Sequence, residues 1–195
     1  MNIGIDLDGV VYDSEEMLKC CAEFHDLKLG GNGVVNAEEM YCQKRYNWTL
    51  EQEQEFLKEH LVDILKKAPL KYMAKESLIL LKKAGHKLIA ITSRGNVFEE
   101  EAVVTKKRLK KDKLPFDEVV LYAKDKAKVC KEKNIDVMID DMYPNVINVA
   151  NNGIKCLYFR DIILKFIEHE NVVEVNNWGE VIRQINLMTN KKISL

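Results

Sequence analysis

The chain has 195 residues, of which 47% are hydrophobic and 8% aromatic, and its 30 basic residues against 31 acidic ones give a formal net charge of −1. This length and apolar content support one domain, or one domain with a sizeable insertion, and exclude a disordered chain. The near-neutral charge provides no general attraction for a nucleic acid polymer or for an anionic membrane surface.

The five cysteines form no CxxC pair and have no zinc-like spacing with the four histidines. They predict free, mostly buried thiols in a reducing compartment. No signal-peptide composition precedes the first apolar segment, and no stretch approaches the roughly 18 apolar residues of a membrane span. We therefore expect a cytoplasmic protein without a membrane partner, and a homodimer stays open.

Short apolar segments alternate with amphipathic ones along most of the chain. The apolar segments predict five strands and a weaker sixth: Asn2–Leu7, Lys87–Thr92, Glu118–Tyr122, Asp136–Asp140, Lys155–Phe159 and Val172–Val175. The amphipathic segments predict helices at Ala74–Ala84, Val97–Lys111, Lys124–Lys133, Pro144–Asn151 and Trp178–Met188. Strands rich in Val, Ile and Leu that alternate with helices are typical of a parallel sheet covered on both faces. The sequence therefore predicts a doubly wound, Rossmann-like α/β fold.

One stretch, from Ser14 to Pro69, contains no convincing strand. Helical patterns cover Ser14–Leu27, Ala37–Tyr46 and Leu50–Lys67. A capping box formed by Thr49 and Gln52 precedes the last of them. We expect a small all-helical cap domain at residues 14–69, inserted after the first strand into a core domain of residues 1–13 and 70–195.

Two carboxylates follow the first predicted strand in the sequence Asp6-Leu7-Asp8-Gly9. Because side chains of an extended segment alternate between faces, Asp6 and Asp8 project to the same side, and Gly9 permits a sharp turn. One carboxylate can attack phosphorus while its neighbour handles the proton of the leaving oxygen. The alternative is an acidic turn with no chemistry.

Further polar residues stand at or near the ends of other predicted strands. Thr92, Ser93 and Arg94 follow the second strand, Asp140 and Asp141 follow the fourth, and Lys126 opens the helix that leads to it. Each group taken singly can be a helix cap, a turn or a surface lysine. Ligands of open parallel sheets bind outside the carboxyl ends of the strands, so the joint occurrence of these groups favours one shared site.

In these positions the chain resembles the haloacid-dehalogenase-like phosphohydrolase superfamily, which is defined by four motifs. Asp6–Val11 matches the first motif, and Thr92, Lys126 and the Asp140-Asp141 pair match the other three in order. The resemblance implies that the helical insert is a cap of the first type. The opening DLDGVVYD and the segment ITSRGN are most similar to the 5'(3')-deoxyribonucleotidase group.

The resemblance implies a phosphomonoester hydrolase in which Asp6 is the nucleophile and forms an aspartyl-phosphate. Asp8 is expected to be the general acid for the leaving alkoxide and then the general base for water. Lys126 is expected to pair with the phosphate, with Lys124 as the alternative lysine. The expected substrate-binding residues are Thr92, Ser93, Arg94, Lys126 and Trp48.

Several carboxylates that converge on a dianionic substrate repel one another unless a cation lies between them. We therefore expect Mg²⁺, a hard ion that prefers oxygen ligands. The expected ligands are Asp6, the backbone carbonyl of Asp8, and Asp140 or Asp141, with the choice within the last pair left open.

The predicted cap contains a cluster of aromatic residues at Tyr41, Tyr46 and Trp48. This cluster is either a stacking platform for a base or sugar ring or the small core that the cap needs to fold. The family resemblance implies a nucleoside monophosphate as substrate, and a sugar phosphate or another small phosphomonoester is the alternative. A binding or regulatory protein without turnover is a third reading, which the four intact motifs disfavour.

Overall fold

The structure, a computed structural model, describes residues 1–160 and 166–189. Its strands are β1 (Asn2–Ile5), β2 (Lys87–Ile91), β3 (Glu118–Val120), β4 (Val137–Asp140), β5 (Lys155–Phe159) and β6 (Val172–Val175). Its helices are α1 (Ser14–Lys28), α2 (Cys42–Tyr46), α3 (Leu50–Lys67), α4 (Ala74–Lys83), α5 (Glu99–Asp112), α6 (Lys126–Glu132), α7 (Tyr143–Asn151) and α8 (Trp178–Thr189). The strands pair in parallel in the order β3-β2-β1-β4-β5-β6. This order confirms the predicted doubly wound α/β fold.

Alternate strand residues supply two hydrophobic cores, one on each face of the sheet. Ile3 and Ile5 of β1 are fully buried in a cluster that includes Trp178 of α8. Met138 of β4 belongs to the second cluster, with Val149 of α7. Because both faces of the sheet are covered, polar side chains reach solvent mainly at the strand ends.

Helices α1, α2 and α3 lie between β1 and β2 in the chain and form the predicted helical insert. Side chains of these helices and of the loop between α2 and α3 build a small hydrophobic cluster, which consists of Ala22, Cys42, Tyr46, Trp48 and Phe56. The predicted capping box is confirmed: Gln52 N–H donates to Thr49 Oγ1 at 3.2 Å, and Thr49 N–H donates to Gln52 Oε1 at 2.8 Å. The division into a core domain and a cap domain stays a prediction, and residues 161–165 and 190–195 of the proposed core lie outside the described residues.

The second predicted helix of the insert is shorter than expected, since only Cys42–Tyr46 of Ala37–Tyr46 is helical. The Arg45 guanidinium donates to the backbone carbonyls of Ala37 and Glu39, at 2.7 and 3.3 Å. These bonds draw the preceding segment back over α2 as a turn. The prediction was wrong here because a side chain competes with the helical pattern of backbone hydrogen bonds.

No helix in the described part of the chain is long and apolar enough to cross a membrane. All five cysteines are free thiols, as predicted. Cys42, Cys130 and Cys156 are buried, whereas Cys20 is exposed and Cys21 is half-buried.

Candidate active site

The polar residues predicted from the strand ends meet at the carboxyl edge of the sheet. Asp6 follows the central strand β1, and Asp140 is the last residue of the neighbouring strand β4. Thr92 follows β2 on the other side of β1. A cleft of about 550 Å³ opens between this edge and the helical insert. From the edge it is lined by Asp6, Asp8, Ser93, Arg94, Lys126 and Asp141.

Lys126 joins two of the predicted carboxylates. Its Nζ lies 3.0 Å from Asp6 Oδ2 and 2.6 Å from Asp140 Oδ2, and the residue is 2% exposed. Burial alone would lower the pKa of Lys126, but the carboxylates of Asp140 and Asp6 raise it above its ordinary value. Lys124 lines the cleft as an exposed residue. Of the two lysines, it is therefore Lys126 that lies between the buried carboxylates.

Two buried carboxylate oxygens at this edge have no hydrogen-bond partner, namely Asp6 Oδ1 and Asp141 Oδ1. Asp140 differs, because its Oδ1 accepts from the Met142 N–H at 2.9 Å and from the Asn145 amide at 3.3 Å. One oxygen from each of these three aspartates lies within 4.8 Å of the others. Unpaired oxygens from several carboxylates at this spacing fit a hard divalent cation, which supplies the charge that they lack.

Burial and the neighbouring negative charges raise the pKa of two of these carboxyl groups. Burial raises the pKa of Asp6 to about 7, since the nearby Asp140 and Asp8 add to the effect and Lys126 opposes it. Burial also raises the pKa of Asp141, followed by the charges of Glu15 and Asp6. A further positive charge beside these carboxyl groups would favour their ionised forms.

Asp8 is held differently, by two side chains. Arg94 Nε donates to Asp8 Oδ2 at 2.8 Å and a terminal Arg94 nitrogen donates to Oδ1 at 2.7 Å, while the Ser14 hydroxyl donates to Oδ1 at 2.6 Å. Burial would raise the pKa of Asp8, but the Arg94 guanidinium outweighs it and lowers the pKa below its ordinary value. Asp8 is thus an ionised carboxylate in a rigid two-pronged pair.

The contacts of Asp8 with Arg94 and with Ser14 were not predicted from the sequence. Arg94 was predicted to bind substrate, yet it is 3% exposed and its guanidinium is engaged by Asp8. Ser14 and Glu15 were not predicted as site residues at all. They open α1, directly after the turn that follows Asp8, so their position close behind the first motif was the available indication.

Gly9 allows the turn after Asp8 to approach Asp141 closely. Its φ is +66°, a value that L side chains rarely adopt, and a Cβ at this position would overlap the Asp141 carboxylate. The close approach of the two segments therefore requires glycine.

The two hydroxyl residues after β2 differ in access. Thr92 is 1% exposed, and its Oγ1 accepts from the Arg94 N–H at 3.3 Å. Ser93 is exposed and lines the cleft. Glu101 fixes the loop that follows, because its carboxylate accepts from the backbone N–H groups of Gly95 and Phe98 at 2.8 and 2.6 Å.

Trp48 does not lie where a substrate-binding residue would be expected, and this prediction is corrected. The residue is 6% exposed, belongs to the hydrophobic cluster of the insert and is absent from the cleft lining. Its ring stacks on Tyr46 and its Nε1 donates to Asp26 Oδ1 at 2.7 Å. Tyr41, in contrast, is 55% exposed and lines the cleft. The aromatic cluster is thus mainly a folding core, and one ring of the three faces the cleft.

Comparison with known proteins gives relatives along nearly the whole chain, although no protein-family model matches it. The chain is 27% identical over 188 residues to "Putative nucleotidase YqfW" of Bacillus subtilis, covering 95% of this chain and 94% of that one. It is 24% identical over 182 residues to a nucleotidase of Clostridium acetobutylicum, covering 93% and 91%.

Solved structures with the same fold include a haloacid dehalogenase-like hydrolase from Streptococcus pneumoniae, with a TM-score of 0.66, 14% identity and coverage of 94% of this chain and 97% of that one. A structure from Clostridium acetobutylicum described as a predicted phosphatase has a TM-score of 0.64, 19% identity and the same coverage. The chain therefore shares its fold with a haloacid dehalogenase-like hydrolase and with a protein described as a predicted phosphatase. In sequence it is similar to proteins named as nucleotidases.

Proposed function

We propose that the chain is a Mg²⁺-dependent phosphomonoester hydrolase that acts on nucleoside monophosphates through an aspartyl-phosphate on Asp6. The observation that carries the proposal is the half-partnered carboxylate of Asp6. Lys126 holds one of its oxygens, and the other is buried without a partner at the edge of the cleft. A structural carboxylate would have both oxygens satisfied, whereas a nucleophile needs one oxygen free.

The reaction divides into two steps. In the first, an Asp6 oxygen attacks phosphorus, the bond from phosphorus to the leaving oxygen breaks, and Asp8 protonates that oxygen. In the second, a water oxygen attacks phosphorus, Asp8 takes the proton, and the bond from phosphorus to Asp6 breaks to release inorganic phosphate. Lys126 stabilises the negative charge on the phosphoryl oxygens in both steps.

The ion pair with Arg94 sets the protonation state of Asp8 before substrate binds. In the free protein Arg94 keeps Asp8 ionised, which is the state required of a base. The arrival of a phosphate dianion raises the pKa of a neighbouring carboxyl group, because like charges disfavour ionisation. Substrate binding thus brings Asp8 towards the protonated state that the first step requires.

Asp6 and Asp141 are the residues that would hold Mg²⁺ directly, with Asp140 and the backbone carbonyl of Asp8 beside them. Asp141 is favoured over Asp140 as the direct ligand. It lines the cleft and has an unpaired oxygen, whereas Asp140 is engaged by Lys126 and by the Met142 N–H. When bound, Mg²⁺ neutralises the clustered carboxylates and polarises a phosphoryl oxygen.

The proposed substrate class rests on the nucleotidase names of the two curated relatives and on the cleft lining. Tyr41 offers an exposed aromatic ring at the cleft, and a nucleobase can stack on such a ring. Apolar side chains of α3, among them Leu57 and Leu61, line the same wall. This wall suits a flat ring better than a small polar sugar.

The test is a phosphate-release screen of nucleoside monophosphates, sugar phosphates and an aryl phosphate, with Mg²⁺ and with excess chelator. We expect turnover of nucleoside monophosphates that chelation abolishes and that Ca²⁺ restores poorly, since its looser coordination shell misplaces the reacting groups. Full activity in chelator would contradict the metal mechanism. Preferential turnover of sugar phosphates would keep the hydrolase and overturn the substrate class.

Tyr41→Ala sharpens the substrate test. Loss of a stacked ring should weaken nucleotide affinity by about 1–3 kcal/mol and leave aryl phosphate turnover nearly unchanged. An equal fall for both substrates would show that Tyr41 does not contact the base. The expected absence of nucleic acid polymer and membrane partners, and the open question of a homodimer, stay predictions.

A further inference from the structure

A second cluster of metal-ligating side chains lies in the helical insert, at His25 of α1 and at Glu59 and His60 of α3. One ligand atom from each residue lies within 4.8 Å of the others. None of the three residues lines the active-site cleft, and the hydrolase mechanism does not use them.

His25 is the central observation in this cluster. The residue is 3% exposed, and neither of its ring nitrogens has a hydrogen-bond partner. Its ring contacts Trp48 and Phe56, with centroids at 5.2 and 5.4 Å. Buried polar groups are normally hydrogen-bonded, so an imidazole with both nitrogens unpaired in an aromatic environment indicates a missing partner.

The geometry around Glu59 indicates what that partner is. Glu59 Oε2 lies 3.6 Å from His25 Nδ1 and 3.5 Å from His60 Nε2, and this His60 nitrogen is also buried without a hydrogen bond. These distances are too long for good hydrogen bonds. Zn²⁺ binds nitrogen and carboxylate oxygen at about 2.0–2.2 Å in a tetrahedron, which separates neighbouring ligand atoms by about 3.4 Å. The two distances to Glu59 Oε2 match this separation, and the ligand atoms of His25 and His60 lie within 4.8 Å of each other.

The second oxygen of Glu59 is already occupied. Lys28 Nζ donates to Glu59 Oε1 at 2.8 Å, and Lys28 is largely exposed. Oε2 therefore remains available for an ion, while Lys28 holds the carboxylate in place. The positive charge of Lys28 also disfavours a cation at the cluster, so its removal should raise the metal affinity.

We propose that His25, Glu59 and His60 form a second metal site, which takes Zn²⁺ or a similar first-row transition ion and joins α1 to α3. Two imidazoles and one carboxylate suit such an ion and suit Mg²⁺ poorly. The fourth position would be filled by water, because Glu59 and His60 reach the surface. The alternative is a charge pair between protonated histidines and Glu59, which needs no ion.

The experiment titrates the chelator-treated protein with Co²⁺, and then with Zn²⁺ in competition. Excess Mg²⁺ is present to occupy the oxygen-rich active site. The intensity of the visible absorption reports coordination geometry, because tetrahedral Co²⁺ absorbs much more strongly than octahedral Co²⁺. Fluorescence reports proximity, because Trp48 lies beside His25 whereas Trp178 lies in the sheet core. We expect one equivalent of Co²⁺ to bind with an intense visible spectrum and to quench Trp48.

Variants locate the site. Loss of an outer-shell partner of a metal commonly costs about 10–100-fold in affinity, so loss of a ligand in Glu59→Gln or His60→Ala should cost at least tenfold. Glu51→Gln, the same change two turns away on α3, should have no effect. Lys28→Gln should tighten binding, since it removes a positive charge beside the ion, although it also removes an ion pair.

Equal Zn²⁺ affinity in the wild type, Glu59→Gln and His60→Ala would overturn the proposal. So would the absence of any transition-metal equivalent beyond the active site. Should His60→Ala fail to fold by circular dichroism, Glu59→Gln decides, because the side chain of Glu59 is 45% exposed. None of these measurements depends on turnover, so the proposal can fail while the hydrolase function stands.

Discussion

Buried aspartates occur both in the helical insert and at the carboxyl edge of the sheet, and the two groups differ in how their oxygens are satisfied. Asp26 of the insert is 2% exposed, and its oxygens accept from Trp48 Nε1 at 2.7 Å and from the Gly33 N–H at 2.8 Å. Asp6 and Asp141 are equally buried, and each has an oxygen without a partner. Burial of a carboxylate therefore does not by itself mark function. The feature that we propose as a mark of function is an unpaired carboxylate oxygen at the edge of the cleft.

The largest expected effect is on turnover, when Asp6 with its unpaired carboxylate oxygen is replaced. Asp6→Asn should lower turnover by at least about 10⁴-fold, because the amide cannot attack phosphorus. The free energy of unfolding in the absence of metal should be unchanged or higher, since one of several like charges is removed. Kinetics and chemical denaturation measure the two quantities.

The matched control is Asp136→Asn, the same change at an exposed residue just before β4, at the opposite end of the strand from Asp140. It should leave turnover unaltered. A severe loss of stability in Asp6→Asn would mean that Asp6 is a structural carboxylate like Asp26.

The next largest effect is expected on replacing Lys126, whose ammonium group lies between the carboxylates of Asp6 and Asp140. Lys126→Met should lower the free energy of unfolding by about 3–5 kcal/mol and abolish turnover, because Asp6 and Asp140 lose their common partner. Lys128→Met, at an exposed lysine on the same helix, should cost less than about 0.5 kcal/mol. If Lys124→Met abolished turnover and Lys126→Met did not, the lysine assignment would be wrong.

Substitution of Trp48 would leave the buried carboxylate of Asp26 without one of its hydrogen-bond donors. Trp48→Phe keeps a ring but leaves Asp26 Oδ1 without its donor, which should cost about 1–3 kcal/mol. Trp48→Ala also opens a cavity and should cost about 3–5 kcal/mol. Thermal denaturation measures both variants. Turnover of nucleotide and aryl phosphate should fall equally, and a nucleotide-selective loss would restore Trp48 as a substrate contact.

Asp8 is the intermediate case, since it is fully partnered and still proposed to act in catalysis. Arg94→Met should lower the free energy of unfolding near neutral pH by about 1.5–3 kcal/mol, the range for hydrogen bonds to charged groups. Because Arg94 lowers the pKa of Asp8, this stabilisation is present above the unfolded-state pKa of 3.8 and is lost as the pH falls through the lower folded-state value.

The difference between wild type and Arg94→Met should therefore shrink below about pH 4, as denaturation at several pH values would show. Arg94→Lys keeps the charge without the two-pronged geometry and should fall between them. A difference independent of pH would mean that Arg94 stabilises the fold through contacts other than Asp8, such as its position 5.2 Å from the Tyr12 ring centre.

The core of the molecule could be predicted from the sequence because its determinants are local. The strands carry continuous apolar runs, and the residues that follow them, Asp6, Thr92 and Asp140, are brought to one edge by any parallel sheet. The sequence also distinguished the helical insert, since its patterns have the helical period and Thr49 with Gln52 forms a capping box.

The tertiary structure alone decided which side chains meet across long separations. Arg94 contacts a carboxylate 86 residues away, and Trp48 turns to Asp26 instead of the cleft. Arg45 prevents an early start of α2, and His25 is brought to Glu59 only when α1 packs on α3. The sequence by itself determined the elements and the chemical groups at their ends, because periodicity and strand-end residues act locally. It could not determine their partners, because these depend on which helix faces meet once the insert is packed.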